Sequence, residues 1–245
     1  MGAALRILSF MAAQPGPVAA ATLARALDLP RSSVYRLLSA LEEEGFVLRF
    51  PEAHRYGLGI AAFQLSSGYS RQEPITRLGR PVLAALVDRV GQSAHLAVLL
   101  GRDVVYLVEE RAPRRAPLVT GVGIRLPSHL TASGRALLAA LPREQVRALF
   151  PDATAFTSRG SATQTYAGLR AELVATRSRG YATEDGEITV GFASVAVAVL
   201  DRSGWPTSSL ALTFAADDVD ERRRAELVLA LQRHAEELHR RLYGT

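Results

Sequence analysis

Residues 30 to 46, PRSSVYRLLSALEEEGF, decide how this chain is read. Val34, Leu37, Leu38 and Leu41 fall at i, i+3, i+4 and i+7, the spacing that lines one side of an amphipathic helix. Pro30 suits a first turn, where its missing N–H costs nothing, and Gly45 suits a stop. The opposite side carries Ser32, Ser33, Tyr35, Arg36 and Ser39, short hydrogen-bonding groups with one long cation among them. A face that only meets water would carry glutamate and arginine throughout.

The flanking sequence gives this helix a setting. Residues 4 to 13 read as a preceding helix with Leu5, Leu8 and Met11 on one side, ended by Pro-Gly-Pro at 15 to 17. Thr22 reads as the N-cap of a short helix carrying Leu23 and Leu27. Asp28, Leu29 and Pro30 leave so little chain that the two short helices must cross, which describes a helix-turn-helix. Beyond Gly45, Phe46, Leu48 and Phe50 alternate with Val47 and Arg49, PEAH at 51 to 54 is a turn, and RYGL returns as a second strand. That hairpin is the wing of a winged helix-turn-helix.

Such a unit lays its second helix in the major groove of DNA. Hydroxyls at a helix N-terminus approach phosphates and base edges closely, and the N-terminus itself favours an anion. The candidate DNA contacts are Thr22, Arg31, Ser32, Ser33, Tyr35 and Arg36, with Arg49, His54 and Arg55 on the wing. Arg36 reaches a base edge or a phosphate; Arg31 meets the backbone. Glu42 to Glu44 would repel DNA in the groove, so they face solvent or a partner. The plainer alternative is that Ser32 and Ser33 only cap the helix and Arg36 is an exposed charge. It suits an isolated helix better than one set among helix, turn, helix and hairpin.

Global properties narrow the rest. The 245 residues fit one large domain or two small ones, and 48% apolar residues suffice for real cores. Cysteine is absent, which excludes disulfides, thiolate metal sites and a cysteine nucleophile and fits a reducing compartment. No apolar run approaches the ~20 residues of a membrane span, and the opening MGAALRILSFMAAQPG is too short and mixed for a secretory signal. The expectation is a cytoplasmic protein with no membrane contact. Net charge is +5, and all 29 basic residues are arginine. A chain without lysine reflects genomic base composition, and its modest charge allows an anionic partner without demanding one.

The remaining sequence reads as a connecting helix over 59 to 72 and a second, larger unit. A periodic helix spans 76 to 90, where Pro81 marks either a kink or the true start. Strands are expected over 93 to 100 and 103 to 110, with a weaker one over 117 to 123. Helices follow over 131 to 141, 142 to 150 and 166 to 179, with a polar loop at 155 to 165. Buried-type strands at 193 to 201 and 208 to 214 precede a final helix over 219 to 242. Hairpins and blocks of helices point to an α+β domain around a mainly antiparallel sheet.

Catalytic chemistry finds little support. His129 lies near Ser128 and Ser133, yet there is no G-x-S-x-G elbow. TGVGIRLPS has two of the three glycines of a dinucleotide fingerprint and opens no helix. Glu184, Asp185 and Glu187 form an acidic turn, and the five histidines include no H-x-x-x-H pair. No cofactor, metal or catalytic residue is therefore expected. A binding pocket fits better: a helix N-terminus offers free N–H donors to a carboxylate. Ser194 and Thr213 interrupt apolar strands, where their hydroxyls meet a polar group or bond to backbone.

The order of motifs now becomes specific. The helix at 30 to 45 and its YGLG wing end follow the pattern (K/R)-S-(S/T)-V-Y-R-L-L-x-x-L-E-x-x-G and Y-x-L-G. GVGIRLPSHLTASGRALLAAL follows G-x-R-x-P-x-H-x-T-A-x-G-K-A-x-L-A, with Arg135 in place of lysine. GYATEDGEITVGFASVAVAVLDRSG follows G-Y-A-x-D-x-E-E-x-x-x-G-x-x-C-x-A-x-P-V. Across nearly its whole length the chain resembles the IclR family of bacterial transcriptional regulators. That resemblance implies a winged helix-turn-helix over 1–58, mostly α with a β-hairpin wing, a linker helix over 59–74 and a GAF-like α+β effector-binding domain over 75–245. It implies a homodimer, often a dimer of dimers, on a palindromic double-stranded DNA operator, acting as repressor or activator. The effector would be a small organic acid or aromatic compound. Carried over position by position, its lining would be the backbone N–H groups of Ala132 and Ser133, with Glu184, Ser194, Ala211 and Thr213. Ser194 stands where many relatives have cysteine and Ala198 where they have proline, departures that bear on the ligand more than on the fold. The alternative function is an enzyme that acts on a small molecule through the second domain, with the winged helix as an accessory.

Overall fold

The computed structural model describes residues 2–14, 16–62, 64–65, 74–113, 120–156 and 165–244. The chain divides into two compact units, Met1–Glu73 and Pro74–Thr245. In the first, helices α1 (Gly2–Ala12), α2 (Ala20–Leu27) and α3 (Arg31–Glu43) precede a hairpin of β1 (Val47–Phe50) and β2 (Arg55–Leu58). Ile7 and Met11 of α1, Leu23 of α2, Val34 and Leu38 of α3, and Val47 and Tyr56 of the hairpin form one buried cluster. Glu44 caps α3 and Gly45 follows it at φ +72°. Gly45 N–H bonds Glu42 C=O and Phe46 N–H bonds Leu41 C=O, a Schellman closure that needs the left-handed glycine.

Two expectations in this unit are corrected. Thr22 is not an N-cap: α2 starts at Ala20 after an extended Ala19 and has no side-chain cap. Val18 and Tyr56 exchange both backbone bonds at 2.8 Å, so the chain turns into the helix directly after that bridge. The hairpin also shows little alternation. Only Val47 of β1 is buried, while Leu48, Arg49 and Phe50 are exposed, because four residues reach the small core at a single point. Residues 60–62 and 64–65 are helical; the rest of the expected linker helix, Phe63 and 66–73, lies outside the described residues.

The second unit has three layers. A six-stranded antiparallel sheet runs in the order β5-β4-β3-β8-β7-β6. Its strands are β3 (Ser93–Leu100), β4 (Asp103–Glu110), β5 (Arg125–Pro127), β6 (Ala182–Asp185), β7 (Phe192–Leu200) and β8 (Pro206–Ala215). Helices α4 (Pro74–Val90) and α8 (Glu221–Tyr243) cover one face. There Leu96, Val195, Val197, Leu210, Leu212 and Phe214 meet Val82, Leu83, Leu86, Leu227 and Leu231. Helix α5 (Ala132–Ala140) covers the other face, backed by α6 (Arg143–Leu149) and α7 (Tyr166–Arg179). Pro81 lies inside α4, which excludes it as a helix start. No strand forms over Thr120–Gly123: Gly123 adopts φ +82° in a turn closed by Ile124 N–H on Gly121 C=O, and β5 begins two residues later. Residues 117–119 of that expected strand, and 157–164 of the polar loop, lie outside the described residues.

Strand register explains how α5 sits so close. Ala182, Ala196 and Ala211 are directly paired neighbours across β6, β7 and β8. They meet Ala132 and Ala136 of α5, so alanine packs on alanine. Gly134 makes the other close contact. A Cβ there would stand 2.1 Å from the Ser128 carbonyl oxygen and 2.3 Å from its Cα, both backbone atoms that cannot swing aside. Gly134→Ala should therefore lower stability by ~1–3 kcal/mol or more in urea unfolding. Gly168→Ala on α7, whose Cβ would meet Thr165 Oγ1 at 3.5 Å, is the matched control and should be neutral or mildly stabilising.

Candidate functional site

The start of α3 is built to meet an anion. Pro30 occupies the cap position and makes no side-chain cap bond. The helix's first bond is Val34 N–H to Pro30 C=O, which leaves the N–H groups of Arg31, Ser32 and Ser33 outside the helical ladder. Arg31, Ser32, Tyr35, Arg36 and Ser39 are exposed on one side, and Ser33 is half-buried. Tyr35 is 53% exposed, more than an aromatic ring keeps when its role is packing. The guanidinium groups of Arg31, Arg36 and Arg49 have no ion-pair partner among the described residues. His54 stands at the wing turn with φ 49°. Arg55 is partly committed, its Nη1 donating to Pro17 C=O at 3.2 Å. Thr22 is half-buried in the first turn of α2. Glu42, Glu43 and Glu44 are exposed at the far end of α3.

In the second unit, the row of paired residues next to the alanines is polar. Glu184, Ser194, Thr213 and Ser93 stand side by side across β6, β7, β8 and β3. Ser194 Oγ donates to Glu184 Oε2 at 3.1 Å and lies 3.0 Å from Thr213 Oγ1. Both hydroxyls therefore meet polar side chains rather than backbone. Glu184 Oε1 accepts from Ile188 N–H at 3.0 Å. Burial pushes the Glu184 carboxyl above its ordinary range, against the pull of these two donors.

Helix α5 begins over this row. Thr131 caps it by accepting from Gly134 N–H, and Arg135 N–H bonds Thr131 C=O. The N–H groups of Ala132 and Ser133 remain outside the ladder and border a cleft. The same cleft is lined by Glu184, Ser194, Ala211 and Thr213, so the structure brings all six expected effector residues together. Its free space is ≈ 20 Å³, room for about one water molecule.

Seven further residues line the cleft, among them His95, Tyr106, Thr120 and Phe192, which the sequence reading did not place there. His95 Nε2 lies 2.7 Å from Thr120 Oγ1, and its ring meets Tyr106 edge-on at 5.6 Å. Burial lowers the His95 pKa to about 4 and raises that of Tyr106, so both are neutral at pH 7. The available signal was period two: His95 shares its side of β3 with Ser93 and stands directly opposite Ala211.

The groups once weighed for catalysis are committed elsewhere. Ser128 Oγ donates to Arg102 C=O at 2.7 Å. His129 packs edge-on against Phe150 and Phe156. In the acidic turn, Glu187 pairs with Arg135 and also accepts from Asp185 N–H. Arg135 donates besides to His129 C=O and Thr183 C=O. Among the described residues, no group of three or more His, Asp or Glu could hold a metal ion.

A winged helix with an open N-terminal turn, followed by an α+β domain with a small polar cleft, defines a ligand-responsive DNA-binding regulator. Residues 4–50 match the IclR helix-turn-helix domain, and residues 68–240 match the bacterial transcriptional regulator IclR C-terminal domain. The chain belongs to the IclR family of bacterial transcriptional regulators. It is similar to the probable transcriptional regulator SauR of Cupriavidus necator, 34% identical over 199 residues, 80% of this chain and 78% of the relative. An IclR regulator structure from Silicibacter is 28% identical with TM-score 0.87, covering 100% of this chain and 96% of that one. An IclR homolog from Microbacterium hydrocarbonoxydans, solved with 4-hydroxybenzoate, shares the fold at TM-score 0.81 and 22% identity, over 98% of this chain and 97% of that one.

The buried His95 carries a pH dependence. Its folded pKa of about 4 lies below the unfolded value of 6.5, so acid favours the unfolded chain. The stability it permits is complete above pH 6.5 and declines as pH falls from 6.5 toward 4. The loss at pH 5 relative to pH 7 is ~2 kcal/mol. His95→Gln should flatten the urea-unfolding profile over that interval, which urea titrations at pH 7, 6 and 5 would read.

Proposed function

We propose that α3 reads an operator with Arg31, Ser32, Ser33, Tyr35 and Arg36, flanked by Arg49, His54 and Arg55 of the wing and by Thr22. The cleft under α5 receives a small acid. One observation carries the effector reading: two unladdered N–H groups face a buried row of carboxyl and hydroxyl groups. A ligand carboxylate belongs at Ala132 and Ser133. Its far end carries a donor for Glu184, because a second carboxylate beside Glu184 would be repelled unless one were protonated. Aromatic and short-chain hydroxy acids meet both demands. The cleft holds about one water, so such a ligand fits only when the walls part. That difference between empty and occupied states is what a ligand needs to shift an equilibrium.

The regulator works in the cytoplasm on a palindromic site as a homodimer, alone or paired into a dimer of dimers. One recognition helix reads only a few base pairs, and two-fold symmetry doubles that reach. Leu48, Leu58, Ile60 and Leu65 support a subunit contact, being 43–67% exposed around the hairpin and the turns after it. The second unit binds and performs no chemistry. An enzyme would consume its ligand, whereas this regulator returns it unchanged.

Genomic fragments captured by the purified protein supply the operator for the tests. Arg36→Ala should weaken specific operator binding by ~1–3 kcal/mol if the guanidinium reads a base. Unchanged affinity in a folded variant would remove Arg36 from the interface. For the effector, 4-hydroxybenzoate is a suitable first compound because its acid and hydroxyl lie at opposite ends. An effective ligand should shift operator affinity by ~1–3 kcal/mol. Ser194→Phe should abolish that response and leave ligand-free DNA binding intact. A variant responding at the wild-type ligand concentration would place the cleft's function elsewhere.

A further inference from the structure

Strand β7 is longer than the strand beside it. β8 pairs with it from Phe192 to Leu200, whereas β6 pairs only with Ala193–Ala196. Among the described residues, no strand covers Val197–Leu200 on the β6 side. Gly186 N–H bonds Phe192 C=O on that side, so by the alternation of an antiparallel strand the backbone of Ala198 and Leu200 also points there. His239 Nδ1 donates to Leu200 C=O at 2.7 Å. The N–H and C=O of Ala198 keep no strand partner.

A groove of ≈ 980 Å³ runs along this half-strand, walled by α5 and α7 on one side and α8 on the other. Ala136, Ala139 and Ala140 of α5 and Ala235 of α8 keep it wide. Its charge is uneven. Arg177, Arg202 and Arg240 border it, against Asp201 and Glu236; Arg177 also donates to the Ala139 and Leu141 carbonyls and Arg202 to that of Tyr243. The Asp201 carboxylate is already occupied by Ser203 N–H, Ser203 Oγ and Trp205 N–H. Arg240 is exposed, and its guanidinium has no ion-pair partner among the described residues.

We propose that this groove receives an extended acidic segment of a partner protein, which adds to β7 as a strand opposite Ala198. The four open residues span ~13 Å, enough for a segment of about that many residues. Backbone pairing supplies affinity, and carboxylates flanking the segment meet the basic rim. A second copy's own β7 edge is recessed between its helices in the same way, so a single extended segment fits where a folded edge does not. Ala198 has the N–H that such a pairing needs, where a proline would have none. This inference is independent of the effector cleft.

The test uses the full chain and two fluorescein-labelled decapeptides of alternating alanine and valine, one flanked by two glutamates at each end, the other by two arginines. Anisotropy should show saturable binding of the acidic peptide alone. Ala198→Pro should weaken it roughly tenfold. The substituted N–H makes no bond to β8, so the fold is kept, as a thermal melt would verify. Arg240→Glu, an exposed change, should weaken the acidic peptide and favour the basic one. Absence of saturable binding, or binding that neither substitution alters, overturns the proposal. So does peptide-free self-association in sedimentation that Ala198→Pro abolishes, which would make a second copy the occupant.

Discussion

Alanine against alanine is the contact on which the second unit depends. Ala132 and Ala136 lie on Ala182, Ala196 and Ala211, and Gly134 lets the first turn of α5 press against the Ser128 backbone. Small side chains gain little from burial individually, but they let backbone approach backbone. The result is a helix end and a polar row of the sheet that border one small cleft. Leucine at any of those positions would lift α5 and separate its N–H groups from Glu184, Ser194 and Thr213.

The cleft is also a problem of polar satisfaction. A buried carboxyl, several hydroxyls, a histidine and a tyrosine line the cleft beside an aliphatic core. Most are hydrogen-bonded: Glu184 to Ser194 and Ile188, Ser194 to Thr213, His95 to Thr120. Such a network is stable when closed and costly when half-open. A ligand must replace what it interrupts, which is a stricter condition than filling a hole. This is how a cleft built from common residues discriminates among small acids.

Much of this was legible in the sequence, for identifiable reasons. The apolar stripe of Val34, Leu38 and Leu41 fixed α3, and the polarity of its other side announced its use. The helix expected over 166–179 has those limits, and the structure shows why: Thr165 caps its start and Gly180 ends it. Ala132 and Ser133 were visible as a helix start and Ser194 and Thr213 as hydroxyls in apolar strands. His95 and Tyr106 were not, because a single polar residue in an apolar run looks the same whether it lines a cleft or sits in a core. Only cross-strand register separates the two, and register is not written in one strand. Thr22 misled for a related reason: a good capping residue was present, but the distant bridge of Val18 with Tyr56 set the start of α2.

Arg135 has a consequence for how this regulator is governed. Its guanidinium spans two carbonyls and a carboxylate, tying the loop before α5 to β6 and to the turn after it. A lysine there would offer one compact ammonium, and cellular acetyl donors could cap it. Arginine offers a planar fork that stays charged and resists acylation. The chain has no lysine at all. The given sequence therefore presents no side-chain amine for acetylation, at this junction or elsewhere.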